Sequence, residues 1–357
     1  MSSIRPLGRM LVSKAKNKTV EIDATKVSLG SFYTTQSTWL TPEIRKFLAK
    51  ALKASNGLLL DPFAGDGHLL TAVSQDAELT KLVSETNGFD VQGSKWAIND
   101  SLLKIPNPSK AVIVTNPPYL ANHSARRKGV SSLVAKYFEN STQTNLYKIA
   151  LDNALAVSDY VVAIIPETFL LSSFPKDRLE LAVVIQDELF CDTDAPALVA
   201  CFGKDLLEEA LVYTGQKLIG KLPEILDLRK SSSQTKTKIL FNEPTGRIGL
   251  RAVDGSDGIS PIEFMPAASF DYPAESVVVS SRLMTYLEVP GIEDNKIQEL
   301  ISEANLDLNS IRGASSDLVL APFKGNDKSG KRRRRLDYRL ARSILNRAAD
   351  SFLSKRP

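Results

Sequence analysis

The stretch that decides the fold is "GLLLDPFAGDGHLL" (residues 57–70), where a short apolar run leads through a turn into a helical pattern. Gly65 and Gly67 lie in the turn, where glycine allows a tight bend and a close approach of a ligand to the backbone. The amino end of the following helix adds the positive end of its dipole. Asp61, directly before the turn, disfavours a phosphate and suits an ammonium or hydroxyl group. The stretch therefore predicts a strand, a turn and a helix around a bound ligand.

The alternation of strands and helices continues to about residue 203. Further strands are predicted at 87–91, 111–115, 160–166, 181–186 and 197–203, and helices at 68–83, 94–105 and 145–157. Strands that alternate with helices indicate parallel βαβ units with helices on both faces of the sheet, the α/β class. In such sheets ligands bind beyond the carboxyl ends of the strands, so the loops there are the candidate site.

The pattern changes after about residue 205. Short strands are predicted at 247–253, 276–281 and 317–323, and helices at 295–304 and 336–352. The last helix is amphipathic, because apolar residues recur at every fourth position from Leu336 to Phe352. The segment 325–335, "GNDKSGKRRRR", is interpreted as flexible. We therefore expect a first domain at 1–204 and a second, α+β domain at 205–357.

Composition narrows the class of protein. The chain has 357 residues, of which 43% are hydrophobic and 24% charged, as in ordinary globular proteins. It lacks an apolar run near the roughly 18 residues of a membrane helix, and its first residues lack a secretory apolar segment. Two cysteines are too few for a disulfide scaffold, and two histidines offer little for a zinc site. We expect a cytoplasmic monomer without a bound metal or a membrane.

The positive charge is local. The net charge is +4, but residues 331–357 hold ten Lys/Arg and two Asp/Glu, so the remainder carries −4. Such a concentration is typical of a chain that meets a polyanion at one surface. For the basic run Lys331, Arg332, Arg333, Arg334 and Arg335, a solvated tail and a set of phosphate contacts both stay open.

A second rim loop, "NPPY", follows the strand at 111–115. Pro117 and Pro118 fix φ and cannot donate hydrogen bonds, so the loop is stiff. The Asn116 side-chain oxygen and a backbone carbonyl then form two acceptors that match the two N–H donors of an exocyclic amine. Tyr119 adds a flat face for stacking. Together they predict a pocket for an extruded nucleobase, while Asp90, at the end of another strand, suits a ribose diol.

Several segments, taken in order, match a known family. They are "GSFYTTQSTWLTPEI" (30–44), "LLDPFAGDG" (59–67), "GFDV" (88–91), "NDSLL" (99–103), "TNPPY" (115–119), "NLYKIALDNAL" (145–155), "IIPETFLL" (164–171) and "ELFCDTDAPALVACF" (188–202). This series resembles the amino-type DNA methyltransferases of restriction–modification systems, in particular the N6-adenine enzymes. The resemblance covers about residues 30–203. It implies a doubly wound, Rossmann-like methyltransferase domain followed by a C-terminal target-recognition domain.

The resemblance also implies a cofactor, S-adenosylmethionine. Its implied contacts are Tyr33, Thr34, Asp61, Phe63, Gly65, Gly67, Asp90 and Asp100. Among these, Asp90 would hold the ribose hydroxyls and Asp100 the adenine amino group. The chain departs from the family at Ala150, where relatives often carry a phenylalanine that packs on the cofactor adenine.

For the target, the resemblance implies a flipped adenine in double-stranded DNA. Its implied catalytic residues are Asn116, Pro117, Pro118 and Tyr119, with Phe190 as a second aromatic against the base. Arg126, Arg127 and Lys128, just after the motif, are interpreted as phosphate contacts. A cognate restriction endonuclease is the implied functional partner.

Three alternatives remain open. Transfer to cytosine N4 shares the chemistry, although Asn116 and Tyr119 favour adenine. Enzymes that methylate rRNA bases or protein glutamine also use such a loop, but the large trailing domain favours DNA. A DNA-binding subunit with a degenerate fold is disfavoured, because the acidic and glycine residues of the cofactor loops are intact.

Overall fold

The chain forms two compact units in a computed structural model. The structure describes residues 11–15, 18–22, 38–92, 95–106, 110–185, 196–230 and 237–353. One unit comprises 1–169 and 173–218, and the other comprises 170–172 and 219–357. The units divide later than the expected 204/205, because a further strand after residue 204 extends the sheet of the first unit.

The first unit is a mixture of strands and helices. Its strands are β1 (Leu11–Ala15), β2 (Lys18–Ile22), β3 (Leu58–Asp61), β4 (Glu85–Asp90), β5 (Ala97–Ile98), β6 (Val112–Thr115), β7 (Val161–Pro166), β8 (Leu179–Val184), β9 (Ala197–Phe202) and β10 (Leu211–Thr214), with β11 (Lys217–Lys221) at the boundary. Its α-helices are α1 (Pro42–Ala54), α2 (His68–Ser74), α3 (Asn122–Arg127), α4 (Ser131–Phe138) and α5 (Leu146–Val157). Short 3-10 helices lie at Thr80–Leu82 and Glu167–Phe169.

A nine-stranded sheet organises this unit, in the order β11-β10-β8-β9-β7-β6-β3-β4-β5. From β3 the chain runs outward through parallel β4 and β5, then returns to the other side of β3 for parallel β6 and β7. This reversal is a topological switch point, which opens a crevice beyond the carboxyl ends of β3 and β6. The predicted α/β class is confirmed, and the sheet is mostly parallel. β9 departs from it, since it pairs antiparallel with both β7 and β8.

The central strands are apolar because both faces of the sheet are covered. Every residue of β6 and of β9 is buried, including Cys201. On one side α1 packs with Ile44, Phe47 and Leu48 in the same cluster as Trp39. Burial on both faces explains why these strands read as continuous apolar runs rather than as alternating patterns.

The second unit has its own smaller sheet. Its strands are β12 (Leu240–Phe241), β13 (Ile248–Arg251), β14 (Glu263–Pro266), β15 (Met284–Glu288), β16 (Ala321–Asn326) and β17 (Arg332–Arg335), and its α-helices are α6 (Leu222–Asp227), α7 (Ile297–Ser315) and α8 (Tyr338–Leu353). Short 3-10 helices lie at Ala267–Ser269, Ala274–Ser276 and Asp294–Lys296. The strand order β12-β15-β13-β14 is antiparallel, and β16 and β17 form a separate hairpin. α7 packs against β14, where the Asn305 amide bonds both the N–H and the C=O of Phe264.

Three predicted segments are wrong. The segment 94–105 contains β5 and turns in place of a helix, because Trp96 is held over the glycine turn by a hydrogen bond from its Nε1 to the Gly65 carbonyl (2.9 Å). The segment 276–281 is a loop in place of a strand, closed by a bond from the Ser281 N–H to the Val278 carbonyl. The segment 325–335 is not a flexible tail, since its arginines form β17. None of the helices that the structure describes has both the length and the apolar character of a membrane span.

Replacing Gly88 tests the packing of Trp96. A Cβ atom at Gly88 would lie 2.6 Å from the Trp96 ring and 2.8 Å from the Ala64 Cβ, so Gly88→Ala must displace one of them. We expect a loss of about 1–3 kcal/mol in the free energy of unfolding, measured with urea and circular dichroism, and a shift in tryptophan emission. The control Gly313→Ala, in α7, meets no atom within 4 Å and should be neutral or stabilising. Wild-type stability and emission in Gly88→Ala would contradict the placement of Trp96.

Candidate functional site

A cavity of about 320 Å³ opens at the carboxyl ends of β3, β4 and β6. Its lining includes these residues from the sequence predictions: Asp61, Phe63, Gly65, Asp90, Asp100, Asn116 and Pro118. Both predicted rim loops therefore contribute to one cavity, as the switch point of the sheet requires.

The turn after β3 has a backbone that only glycine adopts easily. Gly65 and Gly67 have φ of +48° and +81°, and a Cβ on Gly65 would meet no atom within 4 Å. The Gly65 N–H donates to Asp90 Oδ2 (3.0 Å), so the turn is fastened to the end of β4. The Trp96 ring lies against Gly67, where a Cβ would come within 2.7 Å of it. The turn thus leaves open space above Gly65 and is packed below Gly67.

Asp61 is a buried carboxyl at the floor of the cavity, only 1% exposed. Burial raises its pKa from 3.8 to about 7, the negative charge of Asp90 adds to the rise, and the hydrogen bond from the Phe63 N–H opposes it. Near neutral pH this carboxyl is therefore divided between its two protonation states. A cation in the cavity would favour the carboxylate, so Asp61 suits a positively charged ligand group.

Asp90 has both oxygens bonded but not saturated. Oδ2 accepts from the Gly65 N–H and Oδ1 accepts from the Gln92 N–H (2.8 Å). A carboxylate oxygen has a second lone pair, so each can accept one more hydrogen bond. The arrangement fixes the carboxylate while leaving it able to receive a pair of hydroxyl groups.

Asp100 offers the clearest unused acceptor. Its Oδ2 accepts from Lys136 Nζ and from the Tyr137 hydroxyl, both at 2.9 Å. Its Oδ1 is buried and has no hydrogen-bond partner among the described residues. Burial raises the pKa of Tyr137, so its hydroxyl stays protonated and donates. A buried acceptor without a donor beside a cavity suits a ligand N–H.

An apolar wall stands beside Asp100. Leu102, Leu133, Val134, Tyr137 and Leu146 line the cavity there. Ala150 is buried in the cluster formed by several of these side chains, so the small residue is covered by its neighbours. The apolar face next to the Asp100 acceptor is therefore built mainly by α4.

The sequence analysis missed this contribution of α4, as well as that of Trp96. It treated the segment after the motif only as a source of positive charge. The helical spacing of Leu133, Val134 and Tyr137 was the signal that would have indicated a buried face. The packing of Trp96 over a turn about thirty residues earlier left no comparable local signal.

Asn116 and Pro118 line the cavity, whereas Pro117 is buried. The Tyr119 hydroxyl lies 2.7 Å from Asn116 Oδ1 and 2.7 Å from the Ile164 carbonyl. Burial raises the pKa of Tyr119, so the hydroxyl keeps its proton and can donate to either oxygen. Its ring packs edge-on against Tyr147 at 6.3 Å and is not part of the cavity wall. In this structure Tyr119 orients Asn116, and its stacking on a base stays a prediction.

The other predicted residues lie elsewhere. Tyr33, Thr34 and Phe190 fall outside the described residues. Arg126 and Arg127 end α3 and Lys128 follows it, all three exposed.

The basic run belongs to the second unit, and a solvated tail is wrong for it. Lys331 is exposed and pairs with Asp317, at 3.2 Å. Arg333 donates from Nε to the Asp254 carbonyl (2.7 Å), and Arg334 is buried. The run is therefore engaged within its own unit, because β17 pairs with β16 and bonds to the loop of Asp254.

No protein-family model and no curated protein matches the chain. Three solved structures show a weak likeness. They are the Type IIL restriction-modification enzyme MmeI in complex with DNA (14% identity, 55% of this chain and 40% of that one, TM-score 0.39), the type IIG restriction endonuclease BpuSI (16%, 51% and 26%, 0.36) and the type I restriction-modification system methyltransferase subunit from Streptococcus thermophilus (15%, 51% and 47%, 0.35). The chain spans less than half of the length of each. Similarity at this level says nothing by itself about activity, which must follow from the geometry of the site.

The pKa of Asp61 gives a stability test without any ligand. Its pKa is about 7 when folded and near 3.8 when unfolded, so folding loses stability as pH rises from about 4 to 7. Asp61→Asn removes this loss and should gain roughly 2–4 kcal/mol relative to wild type at pH 8 compared with pH 4. Urea unfolding at both pH values measures the gain.

The matched control for that test is Asp66→Asn, which changes an exposed carboxylate of the same turn. Its stability relative to wild type should differ little between the two pH values. If Asp61→Asn behaved like this control, the carboxyl of Asp61 would not be buried as the structure has it.

Proposed function

We propose that the chain is an S-adenosylmethionine-dependent DNA methyltransferase that methylates N6 of a flipped adenine. The observation that carries the proposal is the single cavity that joins three acidic side chains, Asp61, Asp90 and Asp100, to Asn116 and Pro118 of the second rim loop. One part of this cavity suits a nucleoside with a cationic group. The other part places amine acceptors directly beside it.

The residues present fit the cofactor. The open space above Gly65 admits a ligand close to the backbone, and the Asp61 carboxyl is placed to balance the positive charge of a sulfonium or ammonium group. Asp90 retains lone pairs for the ribose hydroxyls. The free Oδ1 of Asp100 would accept from the adenine amino group, and Tyr137 with its apolar neighbours would cover the ring. When bound, S-adenosylmethionine supplies the methyl group.

The second rim loop would prepare the target amine for attack. The lone pair of an adenine amine is delocalised into the ring, so the amine is a weak nucleophile. Asn116 Oδ1 and the Pro117 carbonyl, as acceptors of its two hydrogens, would stabilise the tetrahedral nitrogen as positive charge develops. Tyr119 holds the Asn116 oxygen in place through its hydroxyl. The nitrogen becomes acidic only after attack, so a general base with a pKa near 7 is not required.

Other amines fit the same acceptors. A cytosine N4 amine, an rRNA base and a glutamine amide present similar donors, so a test has to identify the product. A methylated adenine in duplex DNA is what the proposal requires. In that case the methyl group would protect the site from a cognate endonuclease.

Replacing Asn116 tests the catalytic assignment. Asn116→Ala should lower methyl transfer to duplex DNA by at least about 100-fold, because an acceptor of the developing charge is lost. The measurement is transfer of labelled methyl groups to genomic DNA, followed by mass spectrometry of the nucleosides to separate N6-methyladenine from N4-methylcytosine. Binding of S-adenosylmethionine, measured by calorimetry, should change little.

The control is Asn122→Ala in α3, an asparagine whose side chain is not part of the cavity wall. It should keep wild-type transfer. Near-normal methylation by Asn116→Ala would contradict the assignment, and N4-methylcytosine as the product would favour the cytosine alternative.

Tyr137 tests the cofactor half of the site. Tyr137→Phe removes a donor to Asp100 Oδ2 but keeps the ring, so we expect the Kd for S-adenosylmethionine to rise about 3- to 10-fold. Tyr137→Ala also removes the ring and should raise the Kd further, by calorimetry. Tyr213→Phe, which removes a hydroxyl in β10 away from the cavity, is the control. Equal Kd values for all three variants would contradict the role of Tyr137.

A further inference from the structure

The second unit carries a stack of two aromatic rings between two arginines. Phe241 and Tyr338 are stacked with centroids 4.4 Å apart and planes at 23°. The Arg282 guanidinium lies 5.4 Å from the Tyr338 ring centre, and the Arg342 guanidinium lies 5.2 Å from that of Phe241. Both cations are therefore held on ring faces, which fixes their positions without neutralising them. We call these four residues the arginine–aromatic stack.

The two arginines differ from others in the same unit. Arg229, Arg247, Arg312 and Arg347 each form an ion pair with an aspartate or glutamate. Arg282 and Arg342 are exposed, and within the described part of the chain neither forms an ion pair. Arg282 donates only to the carbonyls of residues 279 and 281. The stack therefore presents two positive charges without a counter-charge.

An apolar tip adjoins this charge. Val278, Val279 and Leu283 are 55%, 89% and 39% exposed, within a stretch of six residues. We call residues 278–283 the valine tip. Exposed apolar side chains grouped in this way, with a polar rim, mark an interaction surface more often than an ordinary face.

The valine tip is rigidly attached to the stack. Asn242 Nδ2 donates to the Val279 carbonyl (2.8 Å), and the Tyr338 hydroxyl donates to the Ser281 carbonyl (2.7 Å). The Val278 N–H donates to Ser281 Oγ (2.9 Å), which closes the turn. Because Tyr338 belongs to both features, the cations and the apolar tip form one preorganised surface.

We propose that the arginine–aromatic stack and the valine tip together bind duplex DNA. Resting on the proposed function, this assigns the DNA contact within the second unit. Arg282 and Arg342 would contact backbone phosphates, and Val278 and Val279 would pack against sugars and base edges in a groove. The uncompensated charge selects a polyanion, and the rigid apolar tip suits a grooved surface.

The basic run at 331–335 is a poorer candidate, although its composition first suggested it. Arg334 is buried, Lys331 pairs with Asp317, and Arg333 is bound to the Asp254 carbonyl. Engaging phosphates with these groups would require breaking contacts within the unit. Arg282 and Arg342 need no such exchange.

The test is equilibrium binding of the full chain to a fluorescein-labelled, mixed-sequence duplex of about 30 base pairs, between about 50 and 200 mM NaCl. The double variant Arg282→Gln with Arg342→Gln should bind about 10-fold or more weakly at low salt. The slope of log K against log salt should become shallower by about 2, since each lost phosphate contact contributes about 0.9. Val279→Ser should weaken binding without changing the slope, because it removes no charge.

The matched control is Lys324→Gln with Lys328→Gln, which removes two exposed charges from the β16–β17 hairpin of the same unit. It should keep the wild-type slope. The proposal is overturned if the arginine variant keeps the wild-type slope, if the control loses as much, or if a single-stranded RNA of the same sequence binds more tightly than the duplex.

Binding of S-adenosylmethionine, and thermal unfolding, should be unchanged in the arginine variant. A wild-type chain that binds duplex DNA through these arginines but does not bind the cofactor would defeat the proposed function and leave this inference intact. A chain that methylates DNA while both arginines are dispensable would do the reverse.

Discussion

The hydrogen bond from the Gly65 amide to the Asp90 carboxylate is the interaction on which the site depends. It joins the turn after β3 to the end of β4, and so fixes two rim loops that are far apart in the sequence. The left-handed backbone at Gly65 directs that amide toward Asp90, and Trp96 holds the other side of the turn. Because β6 lies next to β3 at the switch point, Asn116 then faces the same cavity.

The electrostatics of the cavity are those of a site that is incomplete without a cationic ligand. Asp61 is buried close enough to Asp90 for each negative charge to oppose the other, and burial adds to that cost. Asp100 is partly balanced by Lys136, yet one of its oxygens has no donor among the described residues. Folded proteins tolerate such groups mainly where binding or catalysis uses them. A nucleoside with a positive charge at one end and an amino group at the other would answer both needs.

The second unit separates its arginines into two kinds. Arg247 and Arg312 are held by carboxylates and support the packing of the unit. Arg282 and Arg342 are held by aromatic rings, so their positions are fixed while their charge remains available. Fixing a side chain before a partner arrives lowers the entropy lost on binding, which favours affinity. This distinction separates a charged surface that binds from a charged run that only packs.

The sequence by itself determined the α/β class and the composition of the rim. Alternating periods of hydrophobicity identify parallel units, and the residues that end β3, β4 and β6 must meet at one edge, so Asp61, Asp90 and Asn116 could be grouped in advance. It could not determine the reversal of β9, because a fully buried strand reads the same in either direction. Nor could it show that Trp96 replaces a predicted helix.

Only the tertiary structure decided which charges and aromatics are available. Tyr119 bonds to Asn116, Tyr137 supports Asp100, and the conspicuous arginines of β17 are tied to their own unit. Arg282, by contrast, attracted no notice in the sequence. The physical reason is that burial and pairing depend on side chains brought together from distant positions. Local composition records how many charges a segment has, but the fold determines which of them remain unpaired.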